Sequence, residues 1–178
     1  MKYLALVVLV FIASNLKAQT VENTSYITKT GEKVLRLESV LPIGLQEAWQ
    51  LFTTDEQLQK WIAPLAHIEL RTGGYIITNY DKTKSLADSS SIRLQIINYI
   101  EQQLLTLKVK LNNNFSKTVQ NEDGNLQEVI QFIQVSSTST KIISSMIGWG
   151  DSEEWSKTYD FFVRGNISTY EELLKLYK

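Results

Sequence analysis

The sequence predicts an α+β domain in which a curved antiparallel sheet of about six to seven strands wraps around a long C-terminal helix. Strand-like segments fill the middle of the chain, two short amphipathic helices follow the first strand, and one long amphipathic helix ends the chain. A single long helix covers the open face of such a sheet only if the sheet curls around it. We therefore expect space between sheet and helix, closed at one end by the short helices.

The long helix is predicted from residues 147–178, where a glycine hinge at Gly148 and Gly150 precedes an N-terminal cap. Asp151 is the predicted N-cap residue, and Glu154 stands at the spacing of a capping box. Apolar residues then recur at spacings of three and four or sums of these, which predicts one wide apolar stripe. The stripe consists of Trp155, Tyr159, Phe162, Val163, Tyr170, Leu173, Leu174 and Tyr177.

The N-terminus has the layout of a secretory signal peptide, with a basic start at Lys2, an apolar run over residues 3–13 and small residues before a cleavage site after Ala18. The run is about half of the ~20 residues that span a bilayer, so we expect no permanent anchor. A buried N-terminal strand or helix is the alternative. Cleavage removes Lys2 and Lys17, which changes the formal net charge from −1 to −3. We therefore expect a periplasmic or secreted protein.

Composition limits the function further. A chain of 178 residues with 43% hydrophobic and 21% charged residues fits one globular domain. The net charge of −1 argues against a nucleic-acid-binding surface. The absence of cysteine excludes disulfides, cysteine catalysis, thiolate metal sites and a lipid-modified N-terminal cysteine.

The expected domain covers residues 31–178. It follows a mobile lead-in at 19–30, and a short edge strand within this lead-in is an alternative. A strand at 33–41 ends at Pro42. The first short helix is marked by Leu45, Ala48, Trp49 and Phe52, and the second by Leu58, Trp61 and Ile62. Thr54 and Gln57 predict a capping box for the second helix.

The later strands are predicted at 67–71, 75–80, 91–100, 104–111, 126–135 and 138–147. A long polar hairpin loop is predicted at 112–125, where asparagine is frequent.

No catalytic constellation is evident. His67 is the only histidine, and Glu69 is its only potential co-ligand on the same strand face. No Gly-x-Ser-x-Gly elbow occurs that would present a nucleophilic serine. The Gly73-Gly74 pair is not a phosphate-binding loop, because it joins two predicted strands and does not begin a helix. The carboxylates at 151, 153 and 154 are candidates for acid–base chemistry, but helix capping and dipole complementarity explain them more simply. We expect no cofactor and no metal.

Several local motifs occur in an order that resembles the SRPBCC superfamily (START and birch-pollen-allergen-like proteins with the helix-grip fold). Within it the chain is most similar to the group around the C-terminal domain of the heat-shock ATPase activator. The matching residues are Leu41-Pro42, Glu47-Ala48-Trp49, Phe52-Thr53-Thr54 with Leu58 and Trp61, Glu69-Leu70-Arg71-Thr72-Gly73-Gly74-Tyr75, and Gly148-Trp149-Gly150-x-x-Glu153-Glu154-Trp155-x-Lys157-x-Tyr159-Asp160-Phe161-Phe162.

The chain departs from that group in two places. Asn112-Asn113-Asn114-Phe115 stands where a proline-rich aromatic loop is common, and residues 104–111 lack the late aromatics of many members. In addition, Gly165-Asn166 lies inside the long helix, so a kink or restart is expected there. The resemblance implies the fold but leaves the ligand open.

The aromatic residues lead to the functional hypothesis, an exported domain that binds a small hydrophobic or amphipathic molecule between sheet and helix. The alternative is that these aromatics only fill the core. The candidate ligand-binding residues are Trp49, Phe52, Trp61, Ile77, Asn79, Met146, Trp149, Trp155, Tyr159 and Phe162. Asn166 is a further possible polar contact.

Two other functions remain open. An enzyme of the cyclase or hydrolase kind, which some relatives in the superfamily resemble, predicts a buried ionisable group with a strongly shifted pKa in the cavity, although the sequence nominates none. A protein-interaction module, as the chaperone-activator resemblance implies, predicts an exposed apolar patch without a cavity. Export disfavours that third function, since the chaperone partner is cytosolic.

Overall fold

The computed structural model describes residues 19–178, so the predicted signal peptide lies outside the described residues. The strands in this part are β1 (Glu22–Asn23), β2 (Tyr26–Ile27), β3 (Lys33–Leu41), β4 (Leu65–Ile68), β5 (Tyr75–Asn79), β6 (Ile92–Ile100), β7 (Leu104–Lys108), β8 (Gln127–Ser136) and β9 (Ser139–Ile147). The helices are α1 (Leu45–Thr53), α2 (Asp55–Trp61), α3 (Lys117–Glu122) and α4 (Glu153–Lys175). No helix between residues 19 and 178 is long and apolar enough to cross a membrane.

The strands form one antiparallel sheet in the order β1-β3-β9-β8-β7-β6-β5-β4, and β2 also pairs with β3. The α+β helix-grip architecture is therefore confirmed. The described chain has nine strands where about six to seven were predicted, because the lead-in adds β1 and β2, which are only two residues each. The lead-in thus forms two short strands that pair with β3, where one optional edge strand was predicted.

One face of the sheet carries the core, and α4 packs against it. Successive residues of a strand point to opposite faces, so Leu35, Leu37 and Leu41 of β3 share the inner face and are fully buried. From α4, Trp155, Tyr170, Leu173 and Leu174 are buried in the same core. The helices α1 and α2 close one end, where α1 contacts β8 and α2 contacts α4.

The caps of α2 and α4 differ from the prediction. Ser152, not Asp151, is the N-cap of α4, and its Oγ accepts a hydrogen bond of 3.4 Å from the Trp155 N–H. Thr54 is the N-cap residue of α2, as predicted, but its side chain makes no capping hydrogen bond, because its hydroxyl donates to the Gln50 carbonyl at 3.2 Å instead. Both capping-box predictions are therefore wrong. The predicted restart of α4 is also wrong, since the helix continues through Gly165.

The predicted hairpin loop at 112–125 contains α3. Ser116 caps this helix by accepting a hydrogen bond of 3.4 Å from the Val119 N–H. Val119 is the one buried residue of α3 and is fully shielded from solvent. A single apolar anchor in a polar stretch gives no periodic pattern, which is why the sequence did not reveal the helix.

Two predicted strands end three residues earlier than expected. The strand predicted at 67–71 is β4, and it ends at Ile68. Its outer edge is covered by α2, because Asp55 Oδ1 accepts from the Ile68 N–H at 2.7 Å and Gln59 Nε2 donates to the Ala66 carbonyl at 3.0 Å. The strand predicted at 104–111 is β7, and it ends at Lys108. Residues 109–111 continue as coil toward α3.

Candidate functional site

A cavity of about 130 Å³ lies between the sheet, the short helices and α4. Its lining combines apolar residues from every element around it with a few polar ones. The lining residues are Phe52, Leu58, Trp61, Ile62, Ile76, Thr78, Tyr80, Ile92, Leu94, Leu107, Glu128, Ile130, Asn166, Thr169 and Tyr170. Apolar walls with a few convergent polar groups are the usual composition of a small-molecule site.

Among the lining residues that the structure describes, Glu128 is the only charged one. It lies on β8 directly opposite Leu107 of β7 and Met146 of β9, both of which are almost completely buried. Its Oε1 accepts a hydrogen bond of 2.6 Å from the Ser144 hydroxyl and one of 3.4 Å from the Tyr170 hydroxyl. Its Oε2 makes no hydrogen bond to any residue between 19 and 178. One carboxyl oxygen is therefore left without a protein partner.

Burial raises the pKa of the Glu128 carboxyl above its ordinary value, although the hydrogen bonds from Ser144 and Tyr170 act in the opposite direction. The pKa of Tyr170 is raised well above its ordinary value, first by burial and then by the neighbouring Glu128 charge. Glu128 nevertheless keeps some accessible surface. Because Glu128 lines the cavity, we infer that its accessible surface faces the cavity. The site thus holds a carboxyl group that takes up a proton more readily than one in water.

Three aromatic rings form one corner of the cavity. The Phe52 and Trp61 ring centroids are 4.8 Å apart with the planes at 62°. Tyr170 lies 5.9 Å from Trp61 and 6.4 Å from Phe52. The Trp61 indole is fixed because Nε1 donates a hydrogen bond of 2.9 Å to the Leu51 carbonyl. The corner is therefore preorganised and joins α1, α2 and α4 to the carboxyl group.

Of the ten residues predicted to bind a ligand, Phe52 and Trp61 line the cavity, as does the possible polar contact Asn166. Trp49 packs at 5.0 Å against Phe132 in the core. Ile77 lies on the opposite face of β5 from the lining residues Ile76 and Thr78.

Two more predicted residues serve neighbouring structure. Asn79 Nδ2 donates to the hydroxyls of Ser90 and Ser91 at 3.2 and 3.1 Å, which holds the loop after β5. Met146 lies on β9 directly opposite the lining residue Glu128, and its Sδ accepts a 3.0 Å contact from Asn166 Nδ2.

The remaining four predicted residues form an aromatic cluster near the start of α4. Trp149 lies 5.0 Å from Tyr159, 5.7 Å from Phe162 and 6.4 Å from Trp155. Trp155 Nε1 donates a hydrogen bond of 2.8 Å to Glu122 of α3. This cluster anchors α3 and the glycine hinge and does not line the cavity.

The outer side of α4 carries a second, more open groove. Its volume is about 340 Å³ and it is lined by Ser25, Tyr26, Ile27, Lys33, Ser156, Tyr159 and Asp160. Lys33 Nζ donates to the Ser156 hydroxyl at 3.3 Å and lies 6.0 Å from the Tyr159 ring centroid. The side chains of Tyr26 and Ile27 are 52% and 66% exposed there. This groove holds no buried ionisable group and is the weaker candidate.

The other titratable candidates do not form a site. His67 Nδ1 lies 2.7 Å from Asp55 Oδ2 and is exposed, while Glu69 pairs with Arg71. Within residues 19–178 no three histidine or acidic side chains group together as metal ligands would. Glu153 is exposed and its pKa is lowered by its pairing with Lys157, as expected for a residue of the first helical turn.

Sequence reasoning missed Glu128, Ser144 and Tyr170 as a group. The alternation of residues along β8 could have identified Glu128. It lies two and four residues before the buried Ile130 and Phe132, so all three side chains share the inward face of the strand. The pairing of Glu128 with Ser144 depends on strand register, which the sequence does not specify.

The curved antiparallel sheet, the long helix that it grips and the cavity between them define a helix-grip fold. Neither the known family models nor the curated proteins contain a match to this chain. Among solved structures, MLL2253 from Mesorhizobium loti has a TM-score of 0.61 at 11% identity, covering 80% of this chain and 95% of that one. The Aha1 dimer from Colwellia psychrerythraea has a TM-score of 0.59 at 15% identity, covering 80% and 92%.

A third neighbour is PFC0360w, an HSP90 activator from Plasmodium falciparum, with a TM-score of 0.50 at 16% identity, covering 68% of this chain and 77% of that one. At these identities the similarity is one of fold. It agrees with the architecture that the motif order predicted.

Proposed function

We propose that this protein binds a small hydrophobic or amphipathic molecule in the cavity between the sheet and α4. The observation that carries the proposal is the lining itself, in which apolar and aromatic walls surround one carboxyl oxygen without a protein partner. Leaving a polar atom unpaired in an apolar site costs about 1–3 kcal/mol, so a ligand that satisfies it gains that interaction. The cavity is close to the ~150 Å³ that holds benzene in a protein core, which limits the ligand to a small molecule or a small part of a larger one.

The first test is native mass spectrometry of protein purified from its own cell compartment. We expect a bound species whose mass exceeds that of the protein by a small molecule. Leu94→Trp, which fills the cavity from β6, is expected to lose that species. The matched control is Ile133→Trp, because Ile133 lies on β8 and is 44% exposed. Identical ligand content in both variants would contradict the proposal.

An acid–base enzyme is the second candidate, and Glu128 is the observation that favours it. A cavity carboxyl group with a raised pKa keeps its proton to a higher pH than an exposed one, as a general acid or base requires. Its Oε2 is free to reach a bound molecule, while Ser144 and Tyr170 hold Oε1. Incubation of the purified protein with its co-purified ligand distinguishes the two functions, because only an enzyme converts that ligand to product in a Glu128-dependent way.

We also propose that the chain is exported and that residues 1–18 are removed. The support is the sequence layout of these residues and the absence of cysteine. Under this proposal the chaperone-activator role of the Plasmodium neighbour does not transfer, since an exported protein does not meet a cytosolic partner. Co-purification of a stable protein partner from the cytosol would contradict it.

A further inference from the structure

We propose that the ligand is a small organic cation, whose ammonium group pairs with Glu128 and whose hydrocarbon part lies against Phe52, Trp61 and Tyr170. This inference rests on the proposed function and specifies its ligand class. It follows from the charge, the aromatic lining and the volume of one cavity.

The described lining holds one acidic side chain, Glu128, and no basic side chain to pair with it. No lysine, arginine or histidine is found in the cavity lining within the described chain. The lysines of the two neighbouring strands are unavailable, because Lys108 pairs with Asp123 and Lys141 pairs with Glu38. A buried carboxylate without a positive partner is strongly unfavourable, and a partner that supplies the charge removes most of that cost. A cationic ligand is the only ligand class that supplies it.

The aromatic rings of the lining favour a cation independently of the carboxyl group. The corner formed by Phe52, Trp61 and Tyr170 brings three ring centroids within 6.4 Å of one another at the cavity wall. Aromatic faces attract cations within about 6 Å of the ring centroid, and the attraction is larger where water is excluded. A cavity of about 130 Å³ is about 6 Å across if it is treated as a sphere, so a cation inside it lies within reach of these rings.

The groups that face Glu128 set the pH dependence. Tyr170 on α4 and Tyr80 after β5 are the other titratable residues of the lining, and desolvation raises the pKa of both, although Tyr80 is 60% exposed. Both tyrosines stay neutral below their raised pKa values, so Glu128 is the one residue of this lining that changes charge at lower pH. A cation therefore binds more tightly as the pH rises through the pKa of Glu128, whereas a neutral ligand gains nothing from this ionisation.

The test uses three probes with the same hydrocarbon part: isoamylamine, isoamyl alcohol and isovalerate. Their affinities are measured by calorimetry against the full chain over a pH series, and the Trp61 indole N–H resonance reports whether each probe enters the cavity. The variant is Glu128→Gln, which keeps the shape and removes the charge. Glu171→Gln is the control, since Glu171 is exposed on the same helix as Tyr170.

We expect the amine to bind about tenfold or more tightly than the alcohol, with affinity increasing with pH, and isovalerate to bind most weakly. The preference should disappear in Glu128→Gln and persist in Glu171→Gln. If Glu128→Gln does not fold, Phe52→Leu replaces it and should lower the affinity for the amine more than that for the alcohol.

An alcohol that shifts the Trp61 resonance and binds as tightly as the amine overturns the cation inference but leaves ligand binding in the cavity intact. If no probe shifts that resonance, the cation inference is also overturned. The proposed function then depends on the separate co-purification experiment with Leu94→Trp and Ile133→Trp.

Discussion

Ser144 donates a hydrogen bond of 2.6 Å to Oε1 of Glu128 and thereby links β9 to β8 on the face that α4 covers. Ser144 is completely buried and lies directly opposite Ile130 in the sheet register. The bond joins two polar groups inside an otherwise apolar region. It fixes one oxygen of the carboxyl group and leaves the other without a hydrogen-bond partner among residues 19–178.

Glu128 makes stability depend on pH. Its pKa is raised from the ordinary value of 4.5 in the folded state, so the folded protein binds this proton more tightly than the unfolded chain does. The free energy of unfolding contributed by this group therefore falls as the pH rises from about 4.5 through the raised pKa. Glu128→Gln should remove this dependence and be more stable than the wild type at pH above that window.

Urea unfolding at several pH values checks this prediction, with Glu171→Gln as the control. The difference between Glu128→Gln and the wild type should grow with pH, while the difference for Glu171→Gln should stay constant. A difference for Glu128→Gln that does not change with pH would show that the carboxyl group is not desolvated.

Ser144→Ala should destabilise the protein by about 1–3 kcal/mol, because the buried carboxyl group loses its shortest hydrogen bond. The same change should raise the pKa of Glu128 further, since the hydroxyl favours the ionised form. The control is Ser145→Ala, because Ser145 lies on the other face of β9. Thermal unfolding measures stability, and carbon-detected NMR titration of the Glu128 carboxyl measures its pKa. Equal losses from the two alanine variants would contradict the role assigned to Ser144.

Gly150→Ala should destabilise the hinge before α4. A Cβ at this position would lie 2.2 Å from Trp155 Nε1, and the Trp155 ring is held by its hydrogen bond to Glu122. Relief of this clash requires movement of packed groups, which typically costs about 1–3 kcal/mol. Denaturant unfolding monitored by tryptophan fluorescence measures the change.

Gly165→Ala should have the opposite effect. Gly165 lies inside α4, and a Cβ there meets nothing within 4 Å. Alanine in place of an unconstrained helical glycine typically stabilises by about 0.5–1 kcal/mol. A loss of stability in this variant would indicate that α4 is not regular at this residue.

The mature protein should begin at Gln19. Expression of the complete chain in an exporting host, followed by intact-mass measurement and N-terminal sequencing of the mature product, checks this prediction. Retention of Met1 or of the basic residue Lys2 on the mature protein would contradict both the signal peptide and the proposed localisation.

Periodicity predicted the main elements because each has one buried face. The strand at 33–41 has the bounds that the sequence indicated, and the first short helix contains all four residues that marked it. Alternation and helical spacing both mark the side of the element that packs against the core. The caps were less predictable. Asp151 and Ser152 are both good N-cap residues, and the choice between them depends on how the chain leaves Gly148, whose φ of +87° directs the backbone toward α4.

The candidate site was predictable only in part. Phe52 and Trp61 were selected as aromatics on short helices, and the structure places both at the cavity. The same criterion selected Trp149 and Trp155, which lie in a separate cluster at the start of α4. Aromatic composition does not distinguish a residue that lines a cavity from one that fills the core, because both positions favour large apolar side chains.

The sequence by itself determined the order of elements, the antiparallel sheet and the helix that the sheet grips, because these depend on local patterns of apolar and polar residues. The tertiary structure alone decided which side chains meet in the cavity. Glu128, Ser144 and Tyr170 are far apart in sequence and come together only through strand register and the position of α4. Desolvation of the carboxyl group is a property of everything packed around it, so no local pattern encodes it.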